Sequence, residues 1–239
     1  MALFDDDEMP ISVEYGPPPA FYDDEIFVNA GNIIFDFGGV LMKHNLSGCR
    51  DAFRAFMDDY AIYHVLGLGN EEPKGTLIDR YNRGMSTDLF TKEVLKYCKP
   101  DTRAEDVLSA WNMLHDHIPD ETWDQIRSLR LQGYRTYLLS NTNSSHWRDT
   151  IMRYGEQIRE CFDDVFLSFE MHCAKPDEHI YREVDLAIGA DSERTIFVDD
   201  TLANRAAAAK YVQWETSPDM ESLLYKLEFW QVPLVKIER

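Results

Sequence analysis

The sequence predicts an α/β protein in which helices cover both faces of a Rossmann-like parallel sheet. Two observations predict this class. After Gly133, short runs of strand-forming residues alternate with stretches whose apolar residues recur at the helical period, as they do where helices connect parallel strands. Between the first apolar run and Gly133 lies a long stretch of helical period alone. Because it is too long for one crossover, we expect an inserted α-helical subdomain.

Composition restricts the classes of function. The chain has 239 residues, of which 44% are hydrophobic, and a net charge of −19. Such a charge repels the nucleic-acid backbone, so we expect no nucleic-acid partner. No apolar run approaches the roughly 20 residues that cross a bilayer, and the acidic start of the chain lacks the pattern of a secretory signal. With four cysteines spaced for neither zinc nor disulfides, we expect a cytoplasmic protein with reduced thiols and no membrane partner.

The first 30 residues differ from the rest in composition. Carboxylates are frequent there, the first basic residue is Lys43, and residues 17–19 are three consecutive prolines. This composition is typical of a solvated segment without a core of its own. We expect residues 1–30 to be an acidic N-terminal arm, with an interaction tail as the alternative.

The first predicted strand covers residues 33–35, an apolar run bounded by turn residues, as in a buried parallel strand. It leads directly into the carboxylate Asp36, and Gly38 and Gly39 follow. A carboxylate between a buried strand and a glycine turn is unusual for packing alone and marks this position for a chemical role.

Residues 46–118 are predicted to form the helical insert. Two helix faces are expected from apolar spacing: Cys49, Phe53, Phe56 and Tyr60 on one, and Phe90, Val94 and Cys98 on the other. Thr102 and Glu105 have the spacing of a capping box, which would open a further helix that carries Val107, Leu108, Trp111 and Leu114.

The insert is rich in aromatic residues. At helical spacing such residues are expected in the core of the insert, although a sugar ring could also stack on them: Tyr60, Tyr63, Tyr81, Phe90 and Trp111.

The second half of the chain supplies the rest of the sheet. A helix is expected from Pro119 to Gly133, then strands at 137–139, 165–167 and 195–198 with helices at 144–154, 177–188 and 202–210. A last strand at 211–214 and a terminal helix capped by Ser217 complete the prediction. The α/β core would then comprise residues 31–45 and 119–239.

Polar side chains follow each of the four main strands. The carboxyl ends of parallel strands meet at one edge of the sheet, so we expect Asp36, Ser140, Lys175 and the pair Asp199-Asp200 to lie together. Each residue alone also has an ordinary explanation as a helix cap or a surface charge. Together they suit phosphoryl transfer, with an aspartate as nucleophile, Mg²⁺ to neutralise the carboxylates and a lysine to contact the phosphate.

Four segments carry these residues: IIFDFGGVL, YLLSNTN, AKPDEHIY and TIFVDDTLAN. In order and spacing they resemble the motifs of the haloacid dehalogenase (HAD) superfamily, over about residues 31–215. The resemblance implies a hydrolase of the phosphatase type with Mg²⁺ as cofactor, a helical cap of the first type and a small phosphorylated metabolite as substrate. The chain is further similar to small sugar-phosphate phosphatases such as the bacterial α-glucose-1-phosphatases.

The resemblance also implies roles for residues around the phosphate. Asp36 would be the nucleophile, and Ser140 would bind the phosphoryl group with help from Asn141. Lys175 would bridge the nucleophile and the phosphate.

A second group of roles concerns the metal. Asp36, the backbone carbonyl of Gly38 and Asp200 would be its protein ligands. Asp199 would be a neighbouring acid behind these ligands. Asn204, at a place where the family often has a second aspartate, would support them through a hydrogen bond.

Gly38 is the departure from the family pattern. Phosphatases of this superfamily usually have an aspartate two residues after the nucleophile, which protonates the leaving oxygen and then activates water. General acid–base help of this kind is worth about 10²–10⁴-fold, so we expect a weak or specialised phosphatase. His44 and His146 are candidates to replace the acid, and each also has an ordinary interpretation as a surface or packing histidine.

Two alternatives remain at this stage. The missing acid at Gly38 is compatible with a non-catalytic protein that keeps a phosphate site for binding or scaffolding. A metal-independent dehalogenase would use the same nucleophile, but it would not need the acidic pair Asp199-Asp200.

Overall fold

A five-stranded parallel sheet forms the centre of the protein. The computed structural model describes residues 31–67 and 75–229; the arm predicted at residues 1–30 lies outside the described residues. The strands are β1 (Gly31–Phe35), β2 (Tyr134–Ser140), β3 (Asp164–Leu167), β4 (Thr195–Val198) and β5 (Glu215–Ser217). They are arranged in the order β3-β2-β1-β4-β5, and every pairing is parallel. The predicted α/β class is confirmed.

The register of the sheet aligns the ends of its central strands. Phe35, the last residue of β1, lies opposite Leu138 on β2 and Val198 on β4. The β1 and β4 residues are buried along their whole length, which explains the apolar runs that end both strands. The polar residues Asn32 and Thr195 hydrogen-bond to each other across this pair. Asp36 continues the ladder by donating its backbone N–H to the Val198 carbonyl at 2.7 Å.

In the described part of the chain, five helices lie between β1 and the helix that precedes β2. They are α1 (Leu46–Arg54), α2 (Asp59–Leu66), α3 (Leu77–Asn82), α4 (Thr87–Leu95) and α5 (Ala104–Asn112). They share a hydrophobic cluster whose buried members all come from this stretch, with the Tyr81 and Phe90 rings stacked at 4.1 Å. The predicted boundaries of the insert, 46–118, and its cap type stay predictions.

Two helices of the insert end before the last residues that were assigned to their apolar faces. Tyr60 does not continue the face of Cys49 and Phe53, because Asp58 accepts a hydrogen bond from the Ala61 N–H and starts a new helix. Tyr60 is consequently 74% exposed, and Tyr63 is exposed as well. Cys98 likewise lies beyond the end of α4, in a bridge to Met57. Of the aromatic residues expected in the core, Tyr81, Phe90 and Trp111 are buried.

The predicted capping box was displaced by one residue. Helix α5 begins after Arg103, and the Asp106 carboxylate accepts the Arg103 backbone N–H at 3.0 Å. Thr102 and Glu105 therefore do not form the box. The helix also ends at Asn112, so Leu114 lies outside it.

The helices of the second half largely follow the prediction. They are α6 (Asp120–Leu131), α7 (Ser144–Cys161), α8 (Ser168–Met171), α9 (Glu178–Ile188), α10 (Leu202–Tyr211) and α11 (Met220–Phe229). Helix α7 continues past the predicted end at residue 154, where Tyr154 has a non-helical φ of −133° and kinks the helix.

The end of the sheet was predicted wrongly. Residues 211–214 are not a strand: α10 runs to Tyr211 and β5 begins only at Glu215. The apolar pattern there reflects packing, because Trp214 is buried and donates its indole N–H to Asp185 at 2.9 Å. Ser217 does not cap α11 either, since Asp219 accepts the Ser222 N–H at 2.7 Å in that role.

The insert is joined to the sheet domain by polar contacts at the carboxyl edge of the sheet. Arg83 donates to Asp177 at 2.6 Å, and the Ser168 hydroxyl donates to the Asn82 carbonyl at 2.6 Å. Thr87 and Ser144 share a hydrogen bond of 2.9 Å. The helices of the insert thus contact the loops that follow β2 and β3.

Two further findings concern cysteines and membranes. All four cysteines are free thiols. Within the described ranges, every helix is too short or too polar to cross a bilayer.

Candidate active site

The carboxyl edge of the sheet gathers the residues that the sequence singled out there. Asp36 follows β1, Ser140 ends β2, and Asp199 follows β4. Lys175 reaches the same point from the loop between α8 and α9, with its ammonium 2.8 Å from Asp36 Oδ1 and 2.7 Å from Asp199 Oδ2. The structure thus brings the ends of three strands and one loop into contact through a single buried cation.

Lys175 is held at both ends. Its side chain is 1% exposed, and Nζ also donates to the Leu139 carbonyl at 2.9 Å, so all three ammonium donors have acceptors. Asn141 fixes its backbone: the amide Nδ2 donates to the Lys175 carbonyl and Oδ1 accepts the Lys175 N–H, each at 2.9 Å. The Asn141 side chain therefore positions Lys175, a role that the sequence did not indicate.

Asp199 is the most constrained carboxylate of the site. It is fully buried, and besides Lys175 it accepts the Thr201 N–H at 2.8 Å. Asn204 Nδ2 lies 3.1 Å from both of its oxygens; the role of Asn204 behind the metal ligands stays a prediction. Both oxygens of Asp199 are thus occupied by protein donors.

Asp36 has one oxygen held and one open. Oδ1 accepts the Phe37 backbone N–H at 2.7 Å as well as the Lys175 ammonium. Oδ2 has no hydrogen bond to any residue that the structure describes. The residue is 8% exposed, so a carboxylate oxygen is held at the floor of the site with a defined orientation.

Burial and charge shift the pKa values of this cluster. Burial raises the pKa of Asp36, the Lys175 ammonium lowers it and the charge of Asp199 raises it, with a net upward shift. Burial lowers the pKa of Lys175, but Asp36 and Asp199 together raise it above its usual value. Two buried carboxylates share one ammonium, so the cluster has unbalanced negative charge.

Asp200 adds a third carboxylate at the rim. One oxygen from each of Asp36, Asp199 and Asp200 lies within 4.8 Å of the others. Gly39 permits this approach: its φ is +83°, and a Cβ there would lie 2.7 Å from the Asp200 carboxyl carbon. An oxygen-only donor set with excess negative charge fits Mg²⁺. Asp36 and Asp200 have ligand capacity left, whereas Asp199 is occupied.

Ser140 stands beside this cluster at the end of β2. It is 3% exposed, and its hydroxyl makes no hydrogen bond within the described part of the chain. A buried hydroxyl without a protein partner is suited to a ligand. Its binding to phosphate, like the metal ligation by the Gly38 carbonyl, stays a prediction.

Three histidines meet where the insert joins the sheet domain. His146 is buried, with Nε2 3.1 Å from the Trp111 carbonyl and its ring stacked on Trp111 at 4.8 Å. His115 packs against it at 4.1 Å between ring centroids. Burial lowers the pKa of His146 to about 4 and that of His115 to about 2. His115 was not predicted from the sequence, because only the tertiary fold brings it to this place.

His44 differs from the other two because it is exposed. Its ring faces Gly38: a Cβ on Gly38 would overlap the His44 Nε2 and lie 2.7 Å from Cε1. Surrounding protein lowers the pKa of His44, and the negative charge of Asp200 opposes that shift. Of the two histidines proposed to replace the missing acid, His146 is engaged in packing and His44 faces the relevant position.

Comparison with known proteins gives a family match over most of the chain. The family model of the haloacid dehalogenase-like hydrolases matches residues 31–212. Among solved structures, the chain is similar to a HAD-like family hydrolase from Porphyromonas gingivalis, with 31% identity, a TM-score of 0.71 and coverage of 82% of this chain and 97% of that one.

Two relatives from Bacteroides thetaiotaomicron are also similar. A D-ribitol-5-phosphate phosphatase is 28% identical over 182 residues, which cover 72% of this chain and 84% of that protein. A HAD family enzyme solved as a magnesium complex is 25% identical, with a TM-score of 0.67 and coverage of 79% of this chain and 92% of that one.

Acid is expected to destabilise the protein through His146. The pKa of its ring is about 4 in the folded protein against 6.5 for an ordinary histidine, so the unfolded state takes up the proton first as the pH falls. Stability is therefore lost from about pH 6.5 down to about pH 4, on the order of 3 kcal/mol in total. Urea unfolding between pH 7.5 and 4.5 should show a smaller loss for His146→Gln. Equal losses in the two proteins would contradict this assignment.

Proposed function

The chain belongs to the haloacid dehalogenase-like hydrolases, and from that premise we propose that it is a Mg²⁺-dependent phosphatase of a small sugar phosphate. The observation that carries the proposal is the environment of Asp36. One of its oxygens is fixed by Lys175 and by the Phe37 N–H, while the other has no hydrogen bond within the described residues. This is the arrangement required of a carboxylate nucleophile.

The relatives support this substrate class and cofactor. The similar phosphatase is named for D-ribitol-5-phosphate, a phosphorylated sugar alcohol, and the similar HAD family enzyme was solved with magnesium. Asp36 and Asp200 provide carboxylate oxygens suited to this ion, and the carbonyl of Gly38 is proposed as a third protein ligand. When bound, Mg²⁺ would offset the negative charge of the carboxylates and of the phosphate.

The first chemical step follows from the positions of the side chains. Asp36 attacks phosphorus with its open oxygen, and the bond from phosphorus to the leaving oxygen breaks. Lys175 keeps Asp36 oriented and provides positive charge to the phosphoryl group, to which the Ser140 hydroxyl donates a hydrogen bond. The product of this step is a phosphoryl group on Asp36.

Water completes the reaction. It attacks the phosphorus of the phospho-Asp36 intermediate, and the electron pair of the broken bond returns to the carboxylate. Asp199 keeps Lys175 in place throughout, because both of its oxygens are held by Lys175, Thr201 and Asn204. Asn141 does the same from the backbone side.

A metal-independent dehalogenase is less consistent with the site. Asp200 makes no ion pair with any residue in the described ranges. Its carboxylate can lie this close to the turn because Gly39 has no side chain. A reaction without a metal would have no use for this third carboxylate beside the other two. The acidic rim therefore favours a site that takes a cation.

Asp36→Asn tests the nucleophile. We expect kcat on sugar phosphates to fall by roughly 10³-fold or more, because an amide cannot form the phosphorylated intermediate. The measurement is phosphate release from a panel of sugar phosphates with Mg²⁺. Asp164→Asn is the matched control, since Asp164 begins β3 at the opposite edge of the sheet. Equal turnover by Asp36→Asn and the unaltered protein would overturn the mechanism.

Mg²⁺ should stabilise the fold independently of catalysis. At 100 times its dissociation constant, a ligand of the native state adds about 2.7 kcal/mol, which raises Tm by roughly 5–10 °C in a chain of this size. Asp200→Asn should lose most of this shift, because Asp200 is one of the two carboxylates with free ligand capacity.

The control for the metal test is Asp101→Asn, an exposed carboxylate between α4 and α5. It should keep the full shift in Tm. A shift that persists in Asp200→Asn would contradict the metal assignment. A metal shift in the unaltered protein without turnover of any phosphate ester would favour the non-catalytic binding protein.

A further inference from the structure

We propose that His44 is the proton donor to the leaving oxygen, in place of the carboxylate that this chain lacks at Gly38. The inference rests on the proposed phosphatase function and assigns a catalytic residue within it. It starts from a packing observation: a Cβ on Gly38 would overlap the His44 Nε2 and lie 2.7 Å from Cε1. The imidazole occupies the volume in which a side chain at position 38 would begin.

The backbone conformation at position 38 does not require a glycine. Gly39 has a φ of +83°, which favours glycine, but Gly38 is not among the residues with positive φ. A residue with a side chain could adopt the conformation of Gly38. A side chain there would require the His44 ring, the end of an exposed side chain, to move aside, so Gly38 and the His44 ring share one space two residues from Asp36.

The segment that carries His44 is fixed by backbone hydrogen bonds. Asn45 donates its N–H to the Leu114 carbonyl at 2.8 Å, and Asp116 donates to the Lys43 carbonyl at 3.1 Å. His44 and His115 form the antiparallel bridge between these two bonds. The chain is therefore pinned on both sides of His44 at the point where it enters and leaves the insert.

The neighbouring histidines are not placed for the same task. His146 uses Nε2 toward the Trp111 carbonyl and faces Asn143 with Nδ1. His115 lies between the Phe37 ring, at 6.1 Å, and the His146 ring, at 4.1 Å. Of these three rings, His44 is the exposed one that faces the turn after the nucleophile.

The proton balance of the reaction is then complete. As Asp36 attacks phosphorus, the bond to the leaving oxygen breaks, its electron pair goes to that oxygen, and the oxygen takes the proton from the His44 imidazolium. In the second step the neutral imidazole accepts a proton from the attacking water as the bond from phosphorus to Asp36 breaks. The alcohol and inorganic phosphate leave, and His44 is again protonated.

The first test separates proton donation from packing. A sugar phosphate has a poor leaving group that needs a proton, whereas p-nitrophenyl phosphate has a good one that does not. In single turnovers with excess holoenzyme, His44→Gln should slow release of the sugar by about 10²-fold or more and release of p-nitrophenol by less than about fivefold. His179→Gln is the control, an exposed histidine on α9 whose partner is Glu183, and it should slow neither.

The second test exchanges the two positions. In the unaltered background Gly38→Asp should give no gain, because the imidazole already supplies the proton. In a His44→Ala background the space is open, and Gly38→Asp should speed sugar release at least tenfold over His44→Ala alone. Equal effects of Gly38→Asp in the two backgrounds would overturn the proposal, and so would no gain in the double variant. Thermal unfolding of each variant checks that it is folded.

Failure of this inference is distinguishable from failure of the proposed function. If the unaltered protein hydrolyses sugar phosphates but His44→Gln slows both substrates equally or neither, His44 is not the proton donor and the phosphatase remains. If the unaltered protein with Mg²⁺ hydrolyses no phosphate ester, the proposed function fails and the assignment of His44 fails with it.

Discussion

The site depends on one buried ammonium placed between two carboxylates. Lys175 lies 2.8 Å from Asp36 and 2.7 Å from Asp199, and these two residues follow the paired ends of β1 and β4. Without the lysine, two buried like charges would face each other across adjacent strands, an arrangement that costs several kcal/mol. The cation therefore allows the two carboxylates to lie close together at the ends of β1 and β4. Asn141, bonded to the Lys175 backbone, and Asn204, bonded to Asp199, hold this ion pair in place.

The sequence was sufficient to predict the centre of this arrangement. Parallel strands were recognisable because β1 and β4 end in apolar runs, at residues 33–35 and 196–198, and the polar residues after them had to share one edge of the sheet. The positions of Asp36, Ser140, Lys175 and Asp199 could be inferred for that reason. The helix predicted at residues 177–188 also agrees with α9, Glu178–Ile188.

What the sequence did not contain is information about partners distant in the chain. The amide of Asn141 looked available for a ligand until the fold brought the Lys175 backbone to it. Trp214 produced a strand-like pattern because it packs in the core next to α9. His44 and His115 are separated in the chain by the whole insert, and only the folded structure makes them neighbours. It also shows that the His44 ring occupies the space next to Gly38.

The polar contacts of the insert have a mechanical consequence. They end on Ser144, Ser168 and Asp177, and Asp177 lies two residues beyond Lys175, while Ser144 lies four beyond Ser140. The insert is thus tied to the very loops that hold the lysine and the serine. A displacement of the insert away from the sheet would pull on those loops, so any movement that opened this edge of the sheet would also shift Lys175 and Ser140.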